Sequence, residues 1–183
     1  MPNDRKRVRR NYDRTAGQVR PQQNRGPRAE VNARKAWVLE NWCRQEKPAT
    51  VLNIGCGQGG DAHKLVRTVP PGSTIHNVDF SEPALAEFKS RVETGSALNN
   101  YTWLFECVDV IDYEVPHSIF HKTDVVCCML AMHYFANSPA ALAKFFGLVS
   151  DALAPGGTFV AVYPDPDAIS ELLLSAPRVN DIY

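Results

Sequence analysis

Short blocks of consecutive apolar residues alternate along the chain with longer blocks in which apolar residues recur every three or four positions. The short blocks are "ATVLNIG" (49–55), "STIHNVDF" (73–80), "YTWLFECVDV" (101–110), "TDVVCCMLAM" (123–132) and "TFVAVY" (158–163), and each predicts a strand. The third is rich in aromatic and β-branched residues, and the fourth is apolar throughout, as a central parallel strand is. Between them, helices are predicted over "EVNARKAWVLENWCRQ" (30–45), with Val31, Trp37, Val38, Leu39 and Trp42 on its apolar face, and over "GDAHKLVRTV" (60–69). A further helix starts at the Ser81 cap with Pro83 in its first turn. Another runs from Ser138-Pro139 through "AALAKFFGLVSDAL" and stops at Pro155-Gly156-Gly157, and "DAISELLLS" (167–175) is the last. Strands alternating with helices at this spacing predict an α/β fold with a doubly wound parallel sheet.

Residues 1–29 do not share this pattern. They hold Asn, Gln, Pro, Gly and Arg with few large apolar residues, so residues 1–29 are expected to be a basic, mostly disordered arm and residues 30–183 one folded domain. The formal net charge is zero, but residues 1–35 carry eleven Lys/Arg against Asp4, Asp13 and Glu30, so the remainder is acidic. A basic arm on an acidic body suits a protein that meets nucleic acid; a nuclear localisation signal or a solubilising tail explains the same run. The longest apolar run, Val125 to Met132, is far too short to span a bilayer. Five cysteines without a CxxC pair or zinc spacing read as small buried hydrophobes in a reducing compartment.

The chemistry concentrates in "VLNIGCGQGGD" (51–61), where a strand runs straight into Gly55, Gly57, Gly59 and Gly60. Gly55, Gly57 and Gly60 satisfy GxGxxG, and Asp79 follows about twenty residues on, where a ribose-binding acid belongs. A dinucleotide is therefore one reading. Asp61 argues against it, because a carboxylate in the first turn after the glycines repels a pyrophosphate resting there. S-adenosylmethionine carries a cationic sulfonium and no phosphate, so an acid beside its site is tolerated. Gly55 to Gly60, Asp79, Asp109 and the "MHY" stretch at 132–134 all fall at the carboxyl ends of strands, where sheets of this class bind ligands. Taken singly, Asp61 is also a favourable helix N-terminal charge, Asp109 a turn residue, and His133 and Tyr134 packed side chains.

With those residues placed, the chain resembles the mRNA cap guanine-N7 methyltransferases. "VLNIGCGQGGD" is similar to the GCGxGGD motif of that family, "NARKAWVL" (32–39) to its helix before the first strand, and "LAMHYFANS" (130–138) to its fourth strand end. "LAPGGTFVAVYPDPDAI" (153–169) resembles its fifth strand and following helix, and "NDIY" (180–183) a stretch further along. The resemblance implies a Rossmann-like class I methyltransferase sheet and transfer of a methyl group from S-adenosylmethionine to the cap guanine, with no metal. It implies capped mRNA as substrate, other capping enzymes as partners, and a nuclear location, or a cytoplasmic one for a viral chain. It places Lys35, Gly55, Cys56, Gly57, Asp79, Asp109 and Leu130 on the cofactor and Asn32, His133 and Tyr134 on the cap. No residue is assigned as an acid or base. The chain departs from the family pattern at Asn53, where Asp is common, and at Ala33-Arg34, which replace a tryptophan-containing stretch. A class I sheet has seven strands and five are read here, so the last strands are expected to be missing. The rival readings are a methyltransferase of another RNA or small-molecule substrate, and a non-catalytic module that keeps the fold to bind RNA or a partner.

Overall fold

The computed structural model of the chain describes residues 10, 13–14, 27–116, 118–119, 121–135 and 137–175. Five parallel strands lie in the order β3-β2-β1-β4-β5, with β1 Thr50–Ile54, β2 Thr74–Asp79, β3 Thr102–Cys107, β4 Thr123–Met129 and β5 Leu153–Val162. β1 is central, with Val51 opposite Ile75 on one side and Val125 on the other. Both faces of β1 and β4 are covered, which is why their sequences read as unbroken apolar runs rather than as alternation.

Each face has its own core. On one, helix α1 (Pro27–Trp42) and the short α2 (Ala62–Leu65) bring Leu39, Cys43 and Leu65 against Val51, Ile75, Val125 and Cys127. Helix α3 (Glu82–Thr94) lies beside them, and its fully buried Phe88 meets Trp103 and Phe105 of β3 edge-on at 5.6 and 5.1 Å. On the opposite face, helix α4 (Pro139–Ala152) buries Ala141, Phe145, Leu148, Val149 and Ala152 against Leu52, Ile54, Val78, Val126 and Cys128. Those α4 positions are spaced 4, 3, 1 and 3 apart, one stripe of a 3.6-residue helix. Ser81 and Ser138 cap α3 and α4 as read from sequence, their side chains accepting from Ala84 N at 3.3 Å and Ala141 N at 3.2 Å. A last helix, α5 (Pro166–Ser175), follows β5.

Four elements differ from the sequence reading. Helix α1 buries Lys35 and Leu39, and Cys43 just past its end continues the four-residue spacing, while Trp37 and Trp42 stand more than half exposed. The helix expected over 60–69 is only Ala62–Leu65, because the amides of Arg67 and Thr68 bond three residues back and the Thr68 hydroxyl takes the Leu65 carbonyl at 2.7 Å. The third strand stops at Cys107, and Val110–Asp112 form a 3₁₀ turn. Pro155-Gly156-Gly157 do not end α4, which stops at Ala152; they lie inside β5 as an irregularity, where the register to β4 shifts between Thr123 and Val125. Gly157 is required there, since a Cβ would fall 2.8 Å from the Thr123 carbonyl. Of the cysteines, Cys43, Cys127 and Cys128 are buried as expected, but Cys107 is exposed. The basic arm lies mostly outside the described residues, as does "NDIY"; of the arm, Arg10, Asp13 and Arg14 are helical, its last three residues, 27–29, already belong to α1, and Asp13 touches the body.

Phe145 sits at the centre of the α4 face, fully buried, stacked on Phe135 at 5.3 Å and edge-on to Phe159 at 5.9 Å. Phe145→Ala should cost about 3–5 kcal/mol of unfolding free energy, the range for emptying a buried aromatic site. Chemical denaturation of the variant beside the wild type checks this, and a loss under 1 kcal/mol is the result that contradicts it.

Candidate functional site

Strand order reverses between β1, from which β2 and β3 run outward on one side, and β4, which lies on the other. Loops leaving β1 and β4 must therefore diverge, and a cleft opens between their carboxyl ends. Its walls are the glycine loop after β1, the turn after β2, and the residues after β4. The cleft encloses about 280 Å³.

The glycine loop is shaped by close approach. Gly55 has φ +65°, and a Cβ on it would lie 2.3 Å from the Ala131 Cβ across the cleft floor, so only glycine fits between the two strand ends. Gly57 also has positive φ, +53°, and its amide donates to the Asp79 carboxylate at 2.8 Å. Gly55 and Cys56 donate to the Val78 carbonyl at 2.8 and 3.3 Å, so the loop is fastened to the end of β2. Across the cleft, Leu130 holds φ +66°, a strained conformation for a branched side chain, while its amide bonds the Val162 carbonyl at 2.6 Å.

Asp79 is buried (3% exposed), and its second carboxylate oxygen accepts from Ser81 N at 2.9 Å. Burial is the main influence on it and pushes its pKa above the usual carboxylate value, against the lowering effect of the Ser81, Gly57 and Phe80 amides; the Asp13 carboxylate pushes it up further. Burial, with Asp79 beside it, also raises the Cys56 thiol, which stays protonated and is no nucleophile.

Asp61 has a different role from the one its position in sequence suggests. Its side chain makes no helix-capping bond. Lys35 Nζ lies 2.8 Å from each of its oxygens, and Lys64 Nζ is 2.8 Å from one of them while also donating to the Gly60 carbonyl. All three side chains are nearly buried. The acid is thus held by two lysines, and its charge is not a lone repulsive one.

The structure brings together Lys35, Gly55, Cys56, Gly57, Asp79, Leu130 and Tyr134 on the cleft lining. Three expected residues stand outside it. Asp109 caps the 3₁₀ turn by accepting from Ile111 N at 3.1 Å, and its neighbour Val110 reaches the cleft instead. Asn32, half-buried, lies three residues before Lys35 on the same side of α1. His133 is exposed, with its ring 4.1 Å from that of Tyr134 and tilted by 41°. Partial desolvation lowers its pKa, which keeps the ring neutral at neutral pH. Asn53 lies beneath the lining, donating to Asn77 at 3.0 Å and accepting from the Cys127 thiol at 3.5 Å. Its neutral amide completes a network inside the sheet. The sequence reading missed Gln58, Phe80, Arg91, Val110, Met129, Ala131 and Phe135 on the lining. Phe80 and Ala131 adjoin residues that were singled out, whereas nothing local marks Arg91.

A family profile described as "mRNA (guanine-N(7))-methyltransferase domain" matches residues 3–183. The chain is 28% identical over 123 residues to an mRNA cap guanine-N(7) methyltransferase of Schizosaccharomyces pombe, covering 67% of this chain and 34% of that protein. It is 23% identical over 187 residues to mRNA cap guanine-N(7) methyltransferase 1 of Arabidopsis thaliana, covering 94% and 50%. The chain thus spans between a third and a half of these relatives. Among solved structures, an S-adenosylmethionine-dependent methyltransferase from Clostridium acetobutylicum superposes with TM-score 0.58 at 21% identity, over 79% of this chain and 52% of that one. The fold is that of the class I methyltransferases, as read from the sequence.

The raised Asp79 pKa has a consequence for stability. The native state keeps the proton to higher pH than the unfolded chain, whose carboxyl titrates near 3.8. Stability is therefore lost as pH rises from that value through the raised native one, and the loss persists above it. In Asp79→Asn this loss is absent, so the thermal midpoint of the variant relative to wild type should climb as pH rises from about 4 to 7. Melting curves across that range check it; a difference that stays flat or falls is the contrary result.

Proposed function

The chain belongs to the mRNA (guanine-N(7))-methyltransferase family, and from that premise we propose that it transfers a methyl group from S-adenosylmethionine to N7 of the guanosine cap of mRNA. The observation that carries this reading is the single cleft in which the glycine loop, a buried acid, an ion pair and an exposed aromatic ring meet. The cradle suits the cofactor. Gly55 and Ala131 clear the floor of side chains. The Asp79 carboxylate accepts from the Gly57 and Ser81 amides, with the Phe80 amide beside it, and in this reading its remaining lone pairs serve the ribose hydroxyls. Lys35 and Asp61 offer a cation and an anion 2.8 Å apart, which complements the zwitterionic amino-acid end. Val110 and Phe135 give apolar lining; in this reading Asp109, just before Val110 and outside the lining, would have to turn from its Ile111 bond to meet the adenine amine.

When bound, S-adenosylmethionine supplies a sulfonium-activated methyl, and guanine N7, with a lone pair and no proton, takes it without a general base. The protein's task is then placement. Tyr134, 44% exposed and lining the cleft, offers a ring for the purine to stack on, with His133 braced against it. Asn32 on the Lys35 side of α1 completes the cap contacts in this reading. The basic run between Arg5 and Arg10 supports attraction to the RNA and a nuclear location, and other capping enzymes belong to the same proposal as partners.

The test separates the two halves of the cleft. Asp79→Ala should weaken S-adenosylmethionine binding by about 1–3 kcal/mol in calorimetric titration. Tyr134→Ala should lower methyl transfer to capped RNA by about tenfold or more, with cofactor affinity nearly unchanged. Loss of cofactor binding in the tyrosine variant, or equal transfer to uncapped RNA by the wild type, contradicts the cap reading.

A further inference from the structure

We propose that Asp13 is a positioning residue for the cofactor-binding acid: through the Ser81 hydroxyl it holds the turn after β2 that presents the Asp79 carboxylate to the cleft. The inference rests on the reading of Asp79 as the ribose acid. Asp13 lies 68 residues before Ser81 in sequence, yet its carboxylate accepts the Ser81 hydroxyl proton at 2.5 Å, the short separation of a charge-assisted bond. Ser81 is fully buried and serves three partners at once. Its amide donates to Asp79, its oxygen accepts from Ala84 N at the start of α3, and its hydroxyl proton goes to Asp13.

A serine hydroxyl has one proton to give. Committed to Asp13, it is not available to the Asp79 carboxylate, whose remaining lone pairs stay open to the cleft. The same commitment fixes the hydroxyl rotor so that its lone pairs face Ala84 N, and the Asp79-Phe80-Ser81 turn is held from both ends. Nothing in the local sequence around Asp13 announces this contact, because the arm's composition is dominated by its basic residues.

Asp13 also acts by charge. It is a second carboxylate beside Asp79, and with burial it favours the protonated form of that acid. The other groups facing Asp79 are the Gly57, Phe80 and Ser81 amides, which favour the ionised form, and the Cys56 thiol. The cations on the cleft lining, Lys35 and Arg91, are engaged by Asp61 and Glu87. Asn in place of Asp13 keeps an acceptor oxygen for Ser81 and removes the like charge; Ala removes both. The two substitutions therefore separate the roles.

The experiment is calorimetric titration of the full chain with S-adenosylmethionine from about pH 5 to 8, for wild type, Asp13→Ala, Asp13→Asn and Asp79→Asn. Asp13→Ala is expected to weaken binding by about fivefold or more at the upper end of the range. Asp13→Asn is expected to restore it to within about twofold there. Its acid-side loss of binding should fall at lower pH than in wild type, since Asp79 ionises more readily without its neighbour. Wild-type affinity and an unmoved acid limb in Asp13→Ala, with Asp79→Asn impaired, overturn the inference alone. Asp13→Asn as weak as Asp13→Ala with an unmoved acid limb overturns it too. Wild-type binding by Asp79→Asn overturns the cofactor reading, and this inference with it.

Discussion

The hydrogen bonds that the Asp79 carboxylate accepts from Gly57 and Ser81 join three segments that are otherwise free to move apart: the glycine loop, the end of β2 and the start of α3. A buried carboxylate is stable only where donors surround it. Here the donors are backbone amides, which cost no side-chain entropy to order and cannot rotate away. Burial still outweighs them, as the raised pKa shows. The site therefore holds a buried acid whose charged form is only partly compensated by its amide donors.

Around that acid the cleft is built from opposed constraints. Gly55 and Ala131 bring two strand ends together so closely that one must lack a side chain. Leu130 and Gly57 occupy positive-φ conformations on either side. Such strain is affordable because the sheet beneath is over-determined, with β1 and β4 buried on both faces. The neutral bridge of Asn53 between Asn77 and Cys127 fits the same logic. A polar residue under the site is satisfied inside the sheet, and no net charge is left buried there.

Charge at the cleft is likewise organised in pairs. Lys35 and Lys64 hold Asp61, and Glu87 holds Arg91. Asp61 therefore does not by itself discriminate between a dinucleotide and S-adenosylmethionine. An acid clamped by two lysines presents its partners' charge as much as its own, so the pair is better matched to a zwitterion than to a lone cation. The class of fold and the family carry the choice of cofactor instead.

How much was legible in the sequence depends on the range of the interaction. Helix caps at Ser81 and Ser138, the strand runs and the glycine turns are set by groups within a few residues, so local chemistry determined them. The doubly wound order followed because apolar strands separated by helical stretches have few other ways to bury both faces. Other features needed contacts across the chain. The stub of a helix after Asp61 depends on where Thr68 finds an acceptor, and the exposure of Trp37 and Trp42 on which side of α1 meets the sheet. The ion pair of Lys35 with Asp61 spans 26 residues, and the bond of Asp13 to Ser81 spans 68. A pattern of residue types names the groups that can ionise or donate; only the tertiary structure decides which partner each one meets, because that choice is made by whichever segments the sheet brings within about 3 Å of one another.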